Sequence, residues 1–130
     1  MNSAKQLVEL IRKGSVTSRS LVEQSLARID ETDADIRAWT FLDRDGALAK
    51  ADEMDNVRTF GRPLGKLHGI PIGLKDIIDT RGMPTECGTP LMTGRQPDKD
   101  AALVERLLEA GAVIIGKTVT TEFAFMYPSR

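Results

Sequence analysis

The chain reads as an α/β fold with a helical N-terminal layer, and two observations in its 130 residues point that way. In the second half, two short apolar stretches flank an amphipathic helix at the spacing of a parallel strand–helix–strand unit. In the first half, apolar residues recur at helical spacing in three successive segments whose other faces are charged.

Ser3 suits a helix N-cap. Leu7, Leu10 and Ile11 share the face that follows it, and Gly14 falls where that helix would stop. A second helix is expected to start near Thr17 or Ser18 and to bury Val22, Leu26 and Ile29. "AWTFL", residues 38–42, has strand character. A third helix runs through Ala47, Leu48, Ala51 and Met54, and residues 1–56 form the helical layer. From Asn56 to Leu67 the composition turns to Gly, Pro, Arg and Lys, which predicts a loop.

"HGIPIGLKDIIDT", residues 68–80, begins as a strand with Ile70, Ile72 and Leu74 on one side and Pro71, Gly73 and Lys75 on the other. Proline there favours an edge position or a strand start. A glycine- and proline-bearing loop then leads to a helix from about Lys99 to Ala110. Leu103, Val104, Leu107 and Leu108 are its expected buried face, and Asp98 or Asp100 suits its first turn. The apolar run Ala112 to Ile115 predicts a strand, and residues Thr120 to Phe125 a further helix.

Composition excludes several function classes. Eighteen basic against nineteen acidic residues leave no positive excess to draw the chain to nucleic acid. One cysteine and one histidine, Cys87 and His68, build neither a zinc site nor a disulfide framework, and a lone thiol suits the cytoplasm. No apolar run approaches the roughly 20 residues that cross a bilayer, and the N-terminus is an interrupted amphipathic helix rather than a signal peptide.

"GAVIIGKT", residues 111–118, matches the phosphate-loop pattern G-x-x-x-x-G-K-[ST] letter for letter. Its context is inverted, because a helix rather than a strand precedes Gly111. The residues between the glycines, Ala112, Val113, Ile114 and Ile115, favour a buried strand over a curled loop. Gly111 is better explained as a left-handed helix stop, with Gly116 and Lys117 beginning the turn off the strand.

Lys75 is the stronger candidate for chemistry. It closes an apolar strand on the same side as the small Gly73 and the rigid Pro71, which leave room beside it. Burial there would disfavour its charged form and leave a neutral amine to accept a proton. The ordinary alternative is a strand-end lysine reaching into water.

"GIPIGLKDIIDTRGMPTECGTP" followed by "DAALVERLLEAGAVIIGKTVTTEFAF" resembles the amidase signature family. The likeness lies in a G-[IV]-P-[IV]-x-x-K-D strand, a T-x-x-G-[ST] loop, a helix and strand ending in G-K-[TN], and an E-F-A segment. These run in order from about Leu64 to Phe125. The resemblance implies a mixed central sheet flanked by helices, of which this chain is the N-terminal portion. It also implies hydrolysis of carboxylic amides by a Ser–cis-Ser–Lys mechanism, with Lys75 as the base and no metal or organic cofactor. Both serines would lie in a glycine- and serine-rich stretch after the E-F-A segment, and the chain ends before such a stretch. Ser3, Ser15, Ser18, Ser20 and Ser25 belong to the N-terminal helices, and Ser129 lacks flanking glycines.

By the same resemblance Cys87, Gly88 and Thr89 match a loop near the active site, though a surface turn explains them equally. Phe125 matches a position that can line an acyl pocket, though core packing is the ordinary role of such a phenylalanine. His68 reads as structural or exposed. The expected partners are a small-molecule amide and the remainder of the amidase chain, with self-association as another way to cover exposed sheet edges and an apolar helix face. The chain alone is expected to be inactive. A non-catalytic binding or assembly module that keeps part of the fold is the alternative.

Overall fold

The structure, a computed structural model, describes residues 2–125. Four helices surround a three-stranded sheet: α1 (Ala4–Arg12), α2 (Ser18–Ile36), β1 (Trp39–Leu42), α3 (Arg44–Thr59), β2 (Pro71–Lys75), α4 (Ala102–Glu109) and β3 (Val113–Thr118). Two single 3₁₀ turns, Pro90–Met92 and Glu122–Ala124, complete the order. The α/β class expected from the sequence is the one found.

The helix boundaries follow from local chemistry. Ser3 and Thr17 each accept a hydrogen bond from the third residue of the helix they precede, and Gln6 and Ser20 return the bond to the cap's own backbone. Helix α2 has a second cap from outside itself. The Asp55 carboxylate on α3 accepts the backbone N–H groups of Ser18 at 2.8 Å and Arg19 at 3.0 Å. Helix α3 continues to Thr59, past the loop onset expected at Asn56. Helix α4 ends in a left-handed Gly111 (φ 86°), whose N–H reaches Leu108 O at 2.9 Å while Ala112 N–H reaches Leu107 O at 3.0 Å. This is a Schellman stop, as the sequence indicates.

The sheet order is β1-β3-β2, with β1 antiparallel and β2 parallel to the central β3. Among the described residues Pro71 thus opens a strand at the sheet's edge, where its missing N–H costs no ladder bond. Helix α4 is the crossover between the parallel pair. Strand β1, in the stretch whose residues 38–42 have strand character, lies in the same sheet.

Three apolar clusters fill the two sides of the sheet. Val22, Leu26, Ile29, Ala47, Ala51 and Met54 of α2 and α3 meet Val113 and Ile115 of β3. Val8, Ile11, Leu21 and Ile70 form a second cluster, and Leu74, Met83, Val104 and Ile114 a third beneath α4. The buried face of α4 is narrower than its sequence predicts. Val104 is fully buried, whereas Leu103 and Leu108 are 51% and 37% exposed. The helix is short because residues before it are drawn into the neighbouring loop: Ala101 N–H donates to Asp79 O at 2.8 Å, and the Asp100 carboxylate accepts Arg81 N–H.

One irregularity sets up everything at the far end of the sheet. Ile72 pairs with Ile114 but Gly73 pairs with Gly116, so Ile115 is an extra residue on β3. Strict alternation would place Lys117 with Val113 and Ile115. After the bulge it pairs instead with Leu74 on one side and Phe41 on the other, both of which pack under α4.

Candidate active site

The carboxyl ends of the parallel strands β2 and β3 lie side by side, with Lys75 paired to Thr118. Loops leaving the carboxyl ends of parallel strands form the usual ligand crevice of an α/β sheet. Here the loop after β2 and the segment after β3 interlock. Phe123 N–H donates to Cys87 O at 2.8 Å, and the Thr89 hydroxyl donates to Glu122 Oε1 at 2.6 Å. Gly88 sits against the Thr120 carbonyl so closely that a Cβ would stand 2.6 Å from its oxygen. Cys87, Phe123 and Ala124 take left-handed backbone angles (φ 55°, 48° and 57°), uncommon for residues with a side chain.

Asp76 ties the two ends of the first loop together. Its N–H donates to Thr118 O at 2.9 Å, its carbonyl accepts Cys87 N–H at 2.9 Å, and its buried carboxylate accepts Glu86 N–H. Further along, Arg95 donates two parallel bonds to the Asp79 carboxylate, at 2.7 and 2.8 Å, and a third to Thr85 O at 3.2 Å. The Arg95 guanidinium holds the Asp79 carboxyl below its ordinary range.

The sequence-predicted residues fall as follows. Of the two positions open to Lys75, buried base or solvent-facing strand end, the described residues give the second: Lys75 is exposed. The room expected beside it is occupied at Gly73 by the Trp39 ring, whose edge is 2.5 Å from where a Gly73 Cβ would be. Cys87, Gly88 and Thr89 form the turn at the interlock, with Thr89 buried and Gly88 exposed. Phe125 lies at the end of the neighbouring segment, 67% exposed rather than packed in a core. The helix expected over Thr120 to Phe125 is a single 3₁₀ turn broken by the left-handed Phe123. Ser129 lies outside the described residues. His68 is buried, with Nε2 at 3.0 Å from Met54 O, and burial lowers its pKa from the ordinary imidazole value.

Lys117 is what the sequence reading missed. It does not begin a turn but lies within β3, fully buried. Its Nζ donates to Ile78 O at 2.6 Å, Thr85 Oγ1 at 2.7 Å and Thr80 Oγ1 at 3.3 Å. Burial lowers its pKa, and the nearby Asp76, Asp79 and Cys87 oppose that shift while Arg95 adds to it. No phosphate loop exists in the octet, since Gly111 stops a helix and Val113–Thr118 is a strand. Among the described residues, no group of three or more His, Cys, Asp or Glu side chains gathers to hold a metal, and no helix is long and apolar enough to cross a membrane.

The chain is 47% identical over 111 residues to a subunit of the glutamyl-tRNA(Gln) amidotransferase of Chloroflexus aurantiacus, a match covering 85% of this chain and 23% of that protein. It is 41% identical over 122 residues to the subunit of the same name from Streptomyces avermitilis, covering 94% of this chain and 24% of that one. The native peptide amidase of Stenotrophomonas maltophilia superposes with a TM-score of 0.88 at 40% identity, covering 94% of this chain and 25% of that structure. The chain therefore spans about a quarter of the length of these relatives. The family model Amidase matches residues 20–130, and with it the chain belongs to the amidase signature family.

Proposed function

We propose that this chain supplies the base side of an amide hydrolase, with Lys75 as the base of a Ser–cis-Ser–Lys triad whose serines lie on residues beyond it. The observation that carries the reading is the position of Lys75. It sits at the carboxyl end of a parallel strand, beside two loops held in uncommon backbone geometry. Family membership supplies the reaction class.

In this reading the deprotonated Lys75 amine takes a proton from one serine, which in turn activates the nucleophilic serine. That serine attacks the amide carbonyl. Backbone N–H groups stabilise the tetrahedral oxyanion. The proton taken up by Lys75 then returns through the serines to the leaving nitrogen, and collapse breaks the C–N bond, releasing ammonia or an amine and leaving an acyl-enzyme. Water or another acceptor then frees the acid. The Cys87–Thr89 turn and Phe125 stand close to the substrate, which is a small amide. The protein acts in the cytoplasm with no metal or organic cofactor.

The 130 residues alone are expected to show no amide turnover. In the protein carrying its serine-bearing segment, Lys75→Ala is expected to lower kcat by roughly 10²–10⁴-fold, the contribution of a positioned general base. Turnover unaffected by that substitution would sink the assignment. It would favour instead an assembly module that keeps the fold without the chemistry. Exposed apolar side chains at Leu91, Leu103, Phe123 and Phe125 are compatible with either role, since both present a surface for further chain or for a second copy.

A further inference from the structure

Lys117 is a fully buried cation whose three hydrogen-bond acceptors all come from one stretch of chain, residues 78–85. Thr80 Oγ1 itself donates to Ile78 O at 3.0 Å, so it accepts from Lys117 and passes the polarity on to the carbonyl that Lys117 also holds. Three oxygens meet the three donors of an ammonium. Removing an ion from water is costly unless its hydrogen bonds are replaced. A methionine or leucine would fill the same space without that cost. The placement therefore calls for a task that an apolar side chain cannot perform.

The task is legible from what the 78–85 stretch connects. It begins three residues after Lys75 and ends two residues before Cys87, and Asp76 closes it by bonding Glu86 and Cys87. Without Lys117 this loop would keep its bonds to Arg95, Asp100 and Ala101 but lose its hydrogen bonds to the central strand, since Asp76, which bonds Thr118, lies outside it. Lys75 and Lys117 lie on opposite faces of the same sheet end, paired with Thr118 and Leu74 respectively. One faces outward toward the crevice and the other faces into the loop's core.

We propose that Lys117 is a positioning residue for amide hydrolysis: from the central strand it clamps the 78–85 loop and so fixes Lys75 relative to the Cys87–Thr89 turn. This rests on the Lys75 reading above. Two variants test it. Lys117→Met keeps the side-chain length without donors, and Thr85→Val removes one acceptor at nearly constant volume. In the 130-residue chain, hydrogen exchange followed by NMR is expected to show Glu86, Cys87 and Thr89 amides losing protection by about ten- to hundredfold in Lys117→Met, the loss of a hydrogen bond to a charged group. Amides inside α2, such as Leu26, are expected to keep theirs. In the serine-bearing protein, kcat is expected to fall by a similar factor with KM little changed, and the pH limb that reports the Lys75 base is expected to shift.

Unaltered exchange in the loop overturns the proposal. So does a loosened loop with unchanged kcat and pH limb, which would leave Lys117 a role in the fold alone. If Lys117→Met does not fold, Thr85→Val decides on the same readouts with a smaller loss. Lys75→Ala run in parallel separates the two ideas. Turnover that depends on Lys75 but not on Lys117 keeps the base and discards the clamp, and turnover independent of Lys75 removes the base whatever Lys117 does.

Discussion

A methyl group on Gly116 would stand 2.2 Å from the carbonyl oxygen of Phe41, an atom of the β1 backbone that cannot turn away. Gly116 is thus where the bulge of β3 and the approach of β1 meet. Gly116→Ala is expected to destabilise the chain by about 2 kcal/mol, in the range of overpacked cores, read as a lower denaturant midpoint. An unchanged midpoint would mean that the strands separate without cost. At this scale the sequence was informative about the apolar letters of "GAVIIGKT", since β-branched residues favour a strand. It misplaced Lys117, at the start of a turn rather than within the strand. The face Lys117 occupies depends on one extra residue in the pairing with β2, and a shift of one residue exchanges the two faces of a strand. A buried lysine also carries no compositional mark.

Among the elements, those stopped or started by their own residues were the legible ones. The caps at Ser3 and Thr17 and the stop at Gly111 are local, and each was readable from residue type and spacing. The Asp55 cap on α2 was not, because donor and acceptor come from different helices. Asp55→Ala is expected to cost about 1–2 kcal/mol in thermal or denaturant unfolding, as for loss of a helix cap. A cost near zero would show that water replaces it. The segment after β3 shows the converse. A stretch of six residues is too short to nucleate a helix alone, and the bonds from Phe123 to Cys87 and from Thr89 to Glu122 hold it in another shape. The early end of α4 was lost in the same way, to the pull of Asp79 and Asp100 on neighbouring backbone.

The whole molecule carries a pH dependence through His68. Burial is the main cause that lowers its pKa, with Arg58 adding and the Met54 carbonyl and Asp55 opposing. The folded chain then binds a proton at His68 less readily than the unfolded chain does. Stability from this group is complete above about 6.5, the ordinary imidazole value, and is lost as pH falls from there toward the lowered folded value. The Asp79–Arg95 pair acts in a separate window. Its carboxyl is held below the ordinary range, so its contribution is lost only at more acidic pH. Denaturation midpoints are therefore expected to decline as pH falls below about 6.5, with His68→Gln removing most of that slope. An identical slope in the variant would assign the dependence elsewhere.

The order β1-β3-β2 gives the sheet an unusual dependence on its last strand. Among the described residues neither β1 nor β2 has a strand neighbour other than β3, and β3 is the last of the three to leave a ribosome. During synthesis the helices α1, α2 and α3 can gather as soon as they emerge, while two strands wait with unmet backbone groups. The sheet forms only when β3 takes its place between the two, since among the described residues it alone pairs with both. That same event carries Lys117 into its loop.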